Sequence, residues 1–213
     1  MTGAELLDLL MGRLGGRSEA DLRATCLLEA KMVQQTELEQ GAFLPWFLID
    51  RSQTGTIAVA TRELSQPTGF IRELEEEDAI VYTNDDSVEK EIVKKGYNEL
   101  RNWFGLDATG EVPQNYSISG TKFLIFPLLT VARSCRFRCY IGDTVINDDA
   151  TETNWTKYAP DLLLAHTGYN VATKHLAWPE KAAEFADEKV KAMSRLIASH
   201  TAREEASRDR NMG

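Results

Sequence analysis

The sequence predicts an α+β fold: a helical bundle of two N-terminal helices, a middle helix and two long C-terminal helices, with a small antiparallel β-subdomain inserted into it. Three observations carry this reading. Apolar residues recur at three- and four-residue spacing near both ends and once mid-chain. They alternate with polar residues in two β-rich parts, about 56–83 and 113–145, and glycine or proline separates the two kinds of pattern. A chain of 213 residues with 43% apolar content can bury one core, so residues 1–200 are read as a single domain and 201–213 as a separate C-terminal tail.

The elements follow in order. Leu6, Leu7, Leu9, Leu10 and Leu14 mark a first amphipathic helix that stops at Gly15-Gly16. Ser18 caps a second, in which Leu22, Cys26, Ala30 and Val33 hold helical spacing until Gly41. Phe43 to Ile49 is apolar but contains Pro45, which bars a helix interior and predicts an extended segment lying on the core. Short strands are expected from Thr56 to Tyr82, with the acidic run Glu73 to Asp78 at a turn. Asp86 and Glu89 read as a capping box for a middle helix through Val88, Ile92, Tyr97, Leu100 and Phe104. Strands are expected again at Tyr116–Gly120, Phe123–Phe126 and Cys135–Ile141, the last with Cys135, Phe137, Cys139 and Ile141 on one face. Leu162, Leu163, Ala165, Val171, Ala172 and Leu176 build a helix, Pro179 opens the next, and the two are expected to pack as a hairpin.

Charge and cysteines narrow the function. A net charge of −9 argues against a surface that grips phosphates. No run approaches the roughly 18 apolar residues of a membrane span, and Met-Thr-Gly-Ala-Glu has no basic region ahead of an apolar one, so neither membrane nor secretion is expected. Cys26, Cys135 and Cys139 form no Cys-x-x-Cys pair. On one strand, Cys135 and Cys139 would sit roughly 13 Å apart at Cα, too far for a disulfide, and reduced thiols point to synthesis in a bacterial cytoplasm.

The candidate sites are few. His166, His175 and His200 lack ligand spacing, so no metal or cofactor is expected. The Glu73 to Asp78 run offers the least unsuitable acids for a cell-wall glycosidase, Glu76 and Asp78, but consecutive acids usually form a solvated face, and the chain reads as no enzyme. No nucleophile elbow or phosphate loop is present in the sequence. Arg133, Arg136 and Arg138 crowd one strand, with Lys122 expected on its partner, and suit contact with a neighbouring subunit through Glu75, Glu76 and Glu77. Trp46, Trp103, Trp155 and Trp178 read as core anchors, and Trp155, placed in a loop, is also a candidate interface anchor.

The segment Pro113-Gln114-Asn115-Tyr116-Ser117-Ile118-Ser119-Gly120, running on to Phe123-Leu124-Ile125-Phe126-Pro127, resembles the central signature of the tailed-bacteriophage head-to-tail adaptor (connector) family. There a Pro-x-x-Tyr-x-Ile-x-Gly hairpin leads into an apolar strand ending in proline. Tyr140, the loop Asn147 to Asn154, Leu162-Leu163-Leu164 and Lys181 to Arg210 continue the series, while Leu128-Leu129-Thr130 departs from it. The resemblance implies a structural neck subunit of the virion: a ring, dodecameric like the portal it binds beneath, joined to a tail or stopper protein below. It further implies that double-stranded DNA passes through the lumen without specific binding, along a wall that −9 per subunit should make acidic. The tail from Thr201 has one large apolar residue, Met212, and should not fold on a core of its own. Arg203, Arg208 and Arg210, with Met212, are its candidate portal contacts.

Overall fold

The computed structural model describes residues 1–15, 20–74, 77–147 and 150–211, and these form two compact units. One is helical and discontinuous in sequence, Met1–Leu48 with Gly142–Gly213; the other is the stretch between, Ile49–Ile141.

The helical unit begins with α1 (Gly3–Arg13) and α2 (Ala20–Met32), which passes into a π-helical turn (Val33–Leu38), and a 3-10 turn follows at Trp46–Leu48. The chain then crosses the second unit through β1 (Ile49–Asp50), β2 (Thr54–Ile57), β3 (Glu63–Ser65), β4 (Phe70–Glu73), β5 (Ile80–Thr83) and β6 (Glu89–Lys94). Helix α3 (Tyr97–Phe104) precedes β7 (Thr109–Gly110), β8 (Asn115–Ser119), β9 (Lys122–Phe126), β10 (Leu128–Leu129), β11 (Arg133–Phe137) and β12 (Cys139–Ile141). It re-enters the helical unit for α4 (Asn154–Tyr158), α5 (Pro160–Lys174) and α6 (Pro179–Asn211).

Helix α1 is held at its start by a complete capping box between Thr2 and Glu5, and its leucines 6, 7, 10 and 14 are buried. Helix α5 is the centre of the unit: it packs against α2 on one flank and α6 on another, and most of its residues are buried. Pro160 and Pro179 open α5 and α6 at the position where a missing N–H costs nothing. Gly168 lets the α5–α6 hairpin close, because a Cβ there would stand 2.5 Å from the ring of Phe185. Helix α6 continues through residue 201 without a break to Asn211, so the tail expected to lack a core of its own extends the last helix instead. Arg203 gives that extension a contact, its guanidinium lying 3.7 Å from the Trp46 ring centre.

The predicted small antiparallel subdomain is overturned. The second unit contains a seven-stranded mixed sheet in the order β2-β11-β5-β6-β8-β9-β3, a three-stranded sheet β1-β12-β4, and a parallel pair β7 and β10. The seven-stranded sheet has β6 and β8 in parallel, and its edge strands β2 and β3 approach each other, so it curls toward a barrel. The middle helix is not in the bundle either: α3 packs on β8 in this unit. Its predicted first half is strand β6, because Asn84 Oδ1 accepts the N–H groups of Asp86 and Val88 and turns the chain into a β5–β6 hairpin, where Ile92 faces Ile80. Pairing with β5 outweighs the local capping pattern. The expected single strand Cys135–Ile141 divides after Phe137, β11 and β12 joining different sheets. The extended segment at Phe43–Ile49 contains the turn Trp46–Leu48.

The predicted hairpin is present. Ser119 pairs with Lys122, leaving Gly120 and Thr121 as the turn, and Gly120 has φ +56°, as the first central residue of a tight hairpin turn often requires. Tyr116, Phe123, Ile125, Phe137 and Ile80 build the core of this unit.

Candidate functional site

The arginines of β11 and the residue beyond it find partners within their own unit. Arg133 is buried; it makes a two-pronged contact with Asp85, one arm at 3.2 Å, and its Nε donates to the Glu111 carbonyl at 3.1 Å. Arg136 pairs with Glu89, and Arg138 donates to Glu91 at 2.9 Å with Glu77 at 3.7 Å. For Arg136 and Arg138 the geometry follows from the sheet order β11-β5-β6, their side chains reaching past β5 to Glu89 and Glu91 of β6, whereas Asp85 lies in the turn between β5 and β6. Glu77 also takes Arg51 at 2.5 Å. Glu75 and Glu76 lie outside the described residues. Lys122 is on β9, away from β11, and donates to Ser65 at 2.8 Å.

Next to the signature hairpin, Tyr116 sits with its hydroxyl buried, donating to the Glu73 carboxylate and accepting the N–H of Ala79 at 3.2 Å. Burial, then the neighbouring Glu73, raises the phenol far above its ordinary range. Lys94 pairs with Glu73, and its backbone N–H donates to Asp78 at 3.1 Å. These residues, with Arg72, Leu74 and Glu77, line an open cavity of about 530 Å³. Of the two acids considered for glycoside hydrolysis, Asp78 is held here by that backbone bond, and Glu76 is outside the described residues.

In the helical unit the structure brings together polar residues that carry no motif. Glu39 Oε1 accepts from Gln34 Nε2, from the Trp155 indole and from the backbone of Asp143, at 3.1 to 3.2 Å. Asp143 in turn accepts from the N–H of Trp155 and the amide of Asn154. Burial raises the pKa of both carboxylates. Trp155 is therefore an interior anchor, 1% exposed, and its ring meets Phe47. Trp46 and Trp178 are half-buried, whereas Trp103 is 60% exposed. The histidines are tied into ion pairs and packing. His166 Nε2 lies 2.5 Å from Glu37 and 2.8 Å from Lys189, and burial followed by the Lys189 charge lowers its pKa. His175 is 2.9 Å from Glu29, and His200 packs edge-on against Phe43. Among the described residues no group of three His, Cys, Asp or Glu could hold a metal ion.

The tail residues divide. Arg203 reaches Trp46 at the mouth of a cavity of about 190 Å³ between the start of α5 and α6. The side chains of Arg208 and Arg210, and Met212 altogether, lie outside what the structure describes. Sequence reasoning did not single out Glu39, Asp143, or the groove at Trp46, Tyr158 and Arg195. The advance signal for the groove was the apolar, aromatic segment beginning at Phe43.

The helical unit thus ends in the 33-residue α6, and in the β-rich unit Arg133, Arg136 and Arg138 are matched by acids of the same unit. The family model described as SU10 adaptor protein matches residues 1–213, and the chain belongs to that family. It is a phage head-to-tail adaptor, which places it in the virion neck. No curated protein matches the chain, and no described helix is long and apolar enough to cross a membrane.

Proposed function

We propose that the protein forms a ring, dodecameric to match the portal, that binds beneath the portal, joins it to the next neck or tail component and leaves a channel for DNA. The observation that carries this reading is the family match over the whole chain, taken with the length of α6. At a rise of about 1.5 Å per residue, its 33 residues span roughly 50 Å, against roughly 22 Å for the 15 of α5. The end of α6 therefore runs past its hairpin partner. That end carries Arg208 and Arg210, and Met212 follows in the sequence; they are suited to carboxylates and an apolar socket on the portal. The charge of −9, repeated round a ring, favours an acidic lumen along which DNA moves without being gripped.

The test is to delete residues 205–213, which spares the Arg203 contact with Trp46, and to mix the product with assembled portal rings. Loss of co-sedimentation with an unchanged circular dichroism spectrum is the expected result. Docking at undiminished affinity refutes the assignment of the α6 end. Electron microscopy of the complex should show twelve subunits and a channel wall poor in Lys and Arg.

A further inference from the structure

The groove between the start of α5 and α6 has the build of a peptide site. Its floor is aromatic and aliphatic: Trp46 and Tyr158, with ring centres 4.8 Å apart, together with Leu162 and Leu196. Tyr158 leaves 41% of its surface in solvent. At about 190 Å³ the cavity falls below the roughly 300–1,000 Å³ of cofactor and drug-sized pockets, and it suits one anchoring side chain of an extended segment.

The rim adds charge, more positive than negative. Arg203 stacks on Trp46 at 3.7 Å, Lys157 lies over Tyr158 at 5.2 Å, and Arg195 stands largely exposed. The acid among the lining residues, Asp161, takes Arg195 at 3.3 Å. Two lining cations, Arg195 and Arg203, against this one lining carboxylate leave the rim net positive on a chain whose net charge is −9. A guanidinium resting on an indole face keeps its in-plane N–H groups available, so a carboxylate can bind Arg203 without breaking the stack.

We propose that this groove is the docking site for an extended acidic segment of a neighbouring neck protein. A proline or leucine of that segment enters the Trp46–Tyr158 floor, and flanking carboxylates pair with Arg195 and Arg203. The identity of the source rests on the adaptor reading above; the recognition chemistry does not.

Two experiments separate these. The purified full chain is titrated with the fluorescent probe peptide acetyl-Asp-Pro-Leu-Asp-Glu-amide and with its charge-reversed counterpart acetyl-Lys-Pro-Leu-Lys-Lys-amide. The acidic probe should bind at least tenfold more tightly, and Arg195→Glu with Arg203→Glu, both on the surface, should abolish that preference. Binding of the acidic probe should also weaken when salt is raised from about 50 to about 500 mM. Equal binding of the two probes, no binding of either, or a preference that survives the double substitution overturns the site.

The second experiment uses assembled necks. Ser199→Cys places a thiol at the groove, the native cysteines being buried. It should react with maleimide in the free chain and be protected in the neck. Equal reaction in both overturns occupation by a neck partner, whatever the outcome of the portal-docking assay.

Discussion

Replacing Gly168 with alanine sets two known effects against each other. In a helix interior alanine is favoured over glycine by about 1 kcal/mol, so α5 taken alone gains. The new Cβ, however, would stand 2.5, 2.6 and 2.7 Å from three carbons of the Phe185 ring, where a real Cβ keeps about 3.0 Å or more. Phe185 cannot easily yield, since it is fully buried and the Arg13 guanidinium lies 4.8 Å from its ring centre. Overpacking of this kind costs about 1–3 kcal/mol, and with several tenths of an ångström to be found at three contacts the upper half of that range applies. The net expectation is destabilisation by about 1–2 kcal/mol. The assay is urea unfolding followed by tryptophan fluorescence, because Trp46, Trp155 and Trp178 all report on the helical unit. A Phe185→Leu background supplies the control: with the ring gone, Gly168→Ala should become neutral or stabilising by up to about 1 kcal/mol. A higher urea midpoint for Gly168→Ala in the native background would refute the claim that this contact sets the α5–α6 spacing.

Other outcomes follow from the buried polar groups. Tyr116→Phe leaves the Ala79 N–H without its acceptor and should cost about 1–3 kcal/mol, read as an earlier unfolding transition of the β-rich unit. Burial holds Glu39 above the ordinary 4.5, so its protonated form favours the fold and that contribution is lost as pH rises from about 4.5 through the folded value. Glu39→Gln should therefore improve stability relative to the native chain more at pH 7 than at pH 4; the opposite order counts against a burial penalty. Glu29 has the reverse sign: burial pushes it up, but hydrogen bonds from His175 and Lys174 prevail and hold it low, so Glu29→Gln should hurt at pH 7 and matter progressively less as acid protonates the native carboxylate. Burial also pushes the thiols up, to about 11 for Cys26 and Cys135 and about 12 for Cys139, so all three should resist thiol reagents at pH 8 until urea is added.

The parts of the fold visible in the sequence are those with local causes. The leucine spacing of α1, the prolines that open α5 and α6, and the glycine of the β8–β9 turn act within a few residues, and each stands where its chemistry requires. The β-rich unit was underestimated because its strands are short and several are polar on almost every position. In β6 only Ile92 is buried, so Glu89–Lys94 carries little alternation and its charges resemble a solvated helix. What makes it a strand is pairing with β5 across a hairpin on one side and, on the other, with β8, which lies beyond α3 in the sequence. The candidate site was legible in the same uneven way. The Tyr116 signature was readable, and so was the crowding of Arg133, Arg136 and Arg138. Their partners Asp85, Glu89 and Glu91 were not, because the match depends on strand order. Nor could Arg203 be placed on Trp46, 157 positions away, without the helical unit being assembled.

The β-rich unit leaves and rejoins the helical unit at one doorstep. Its first strand, β1, pairs with its last, β12, Ile49 lying opposite Tyr140, so the two ends of the inserted stretch are about 5 Å apart. To the helices on either side, everything between Ile49 and Ile141 is thus equivalent to a loop of a few residues. The entropy of closing a long chain is met within the insert, and does not burden the bundle. An insert fastened in this way can lengthen, shorten or be exchanged in descent without requiring any change in helix packing.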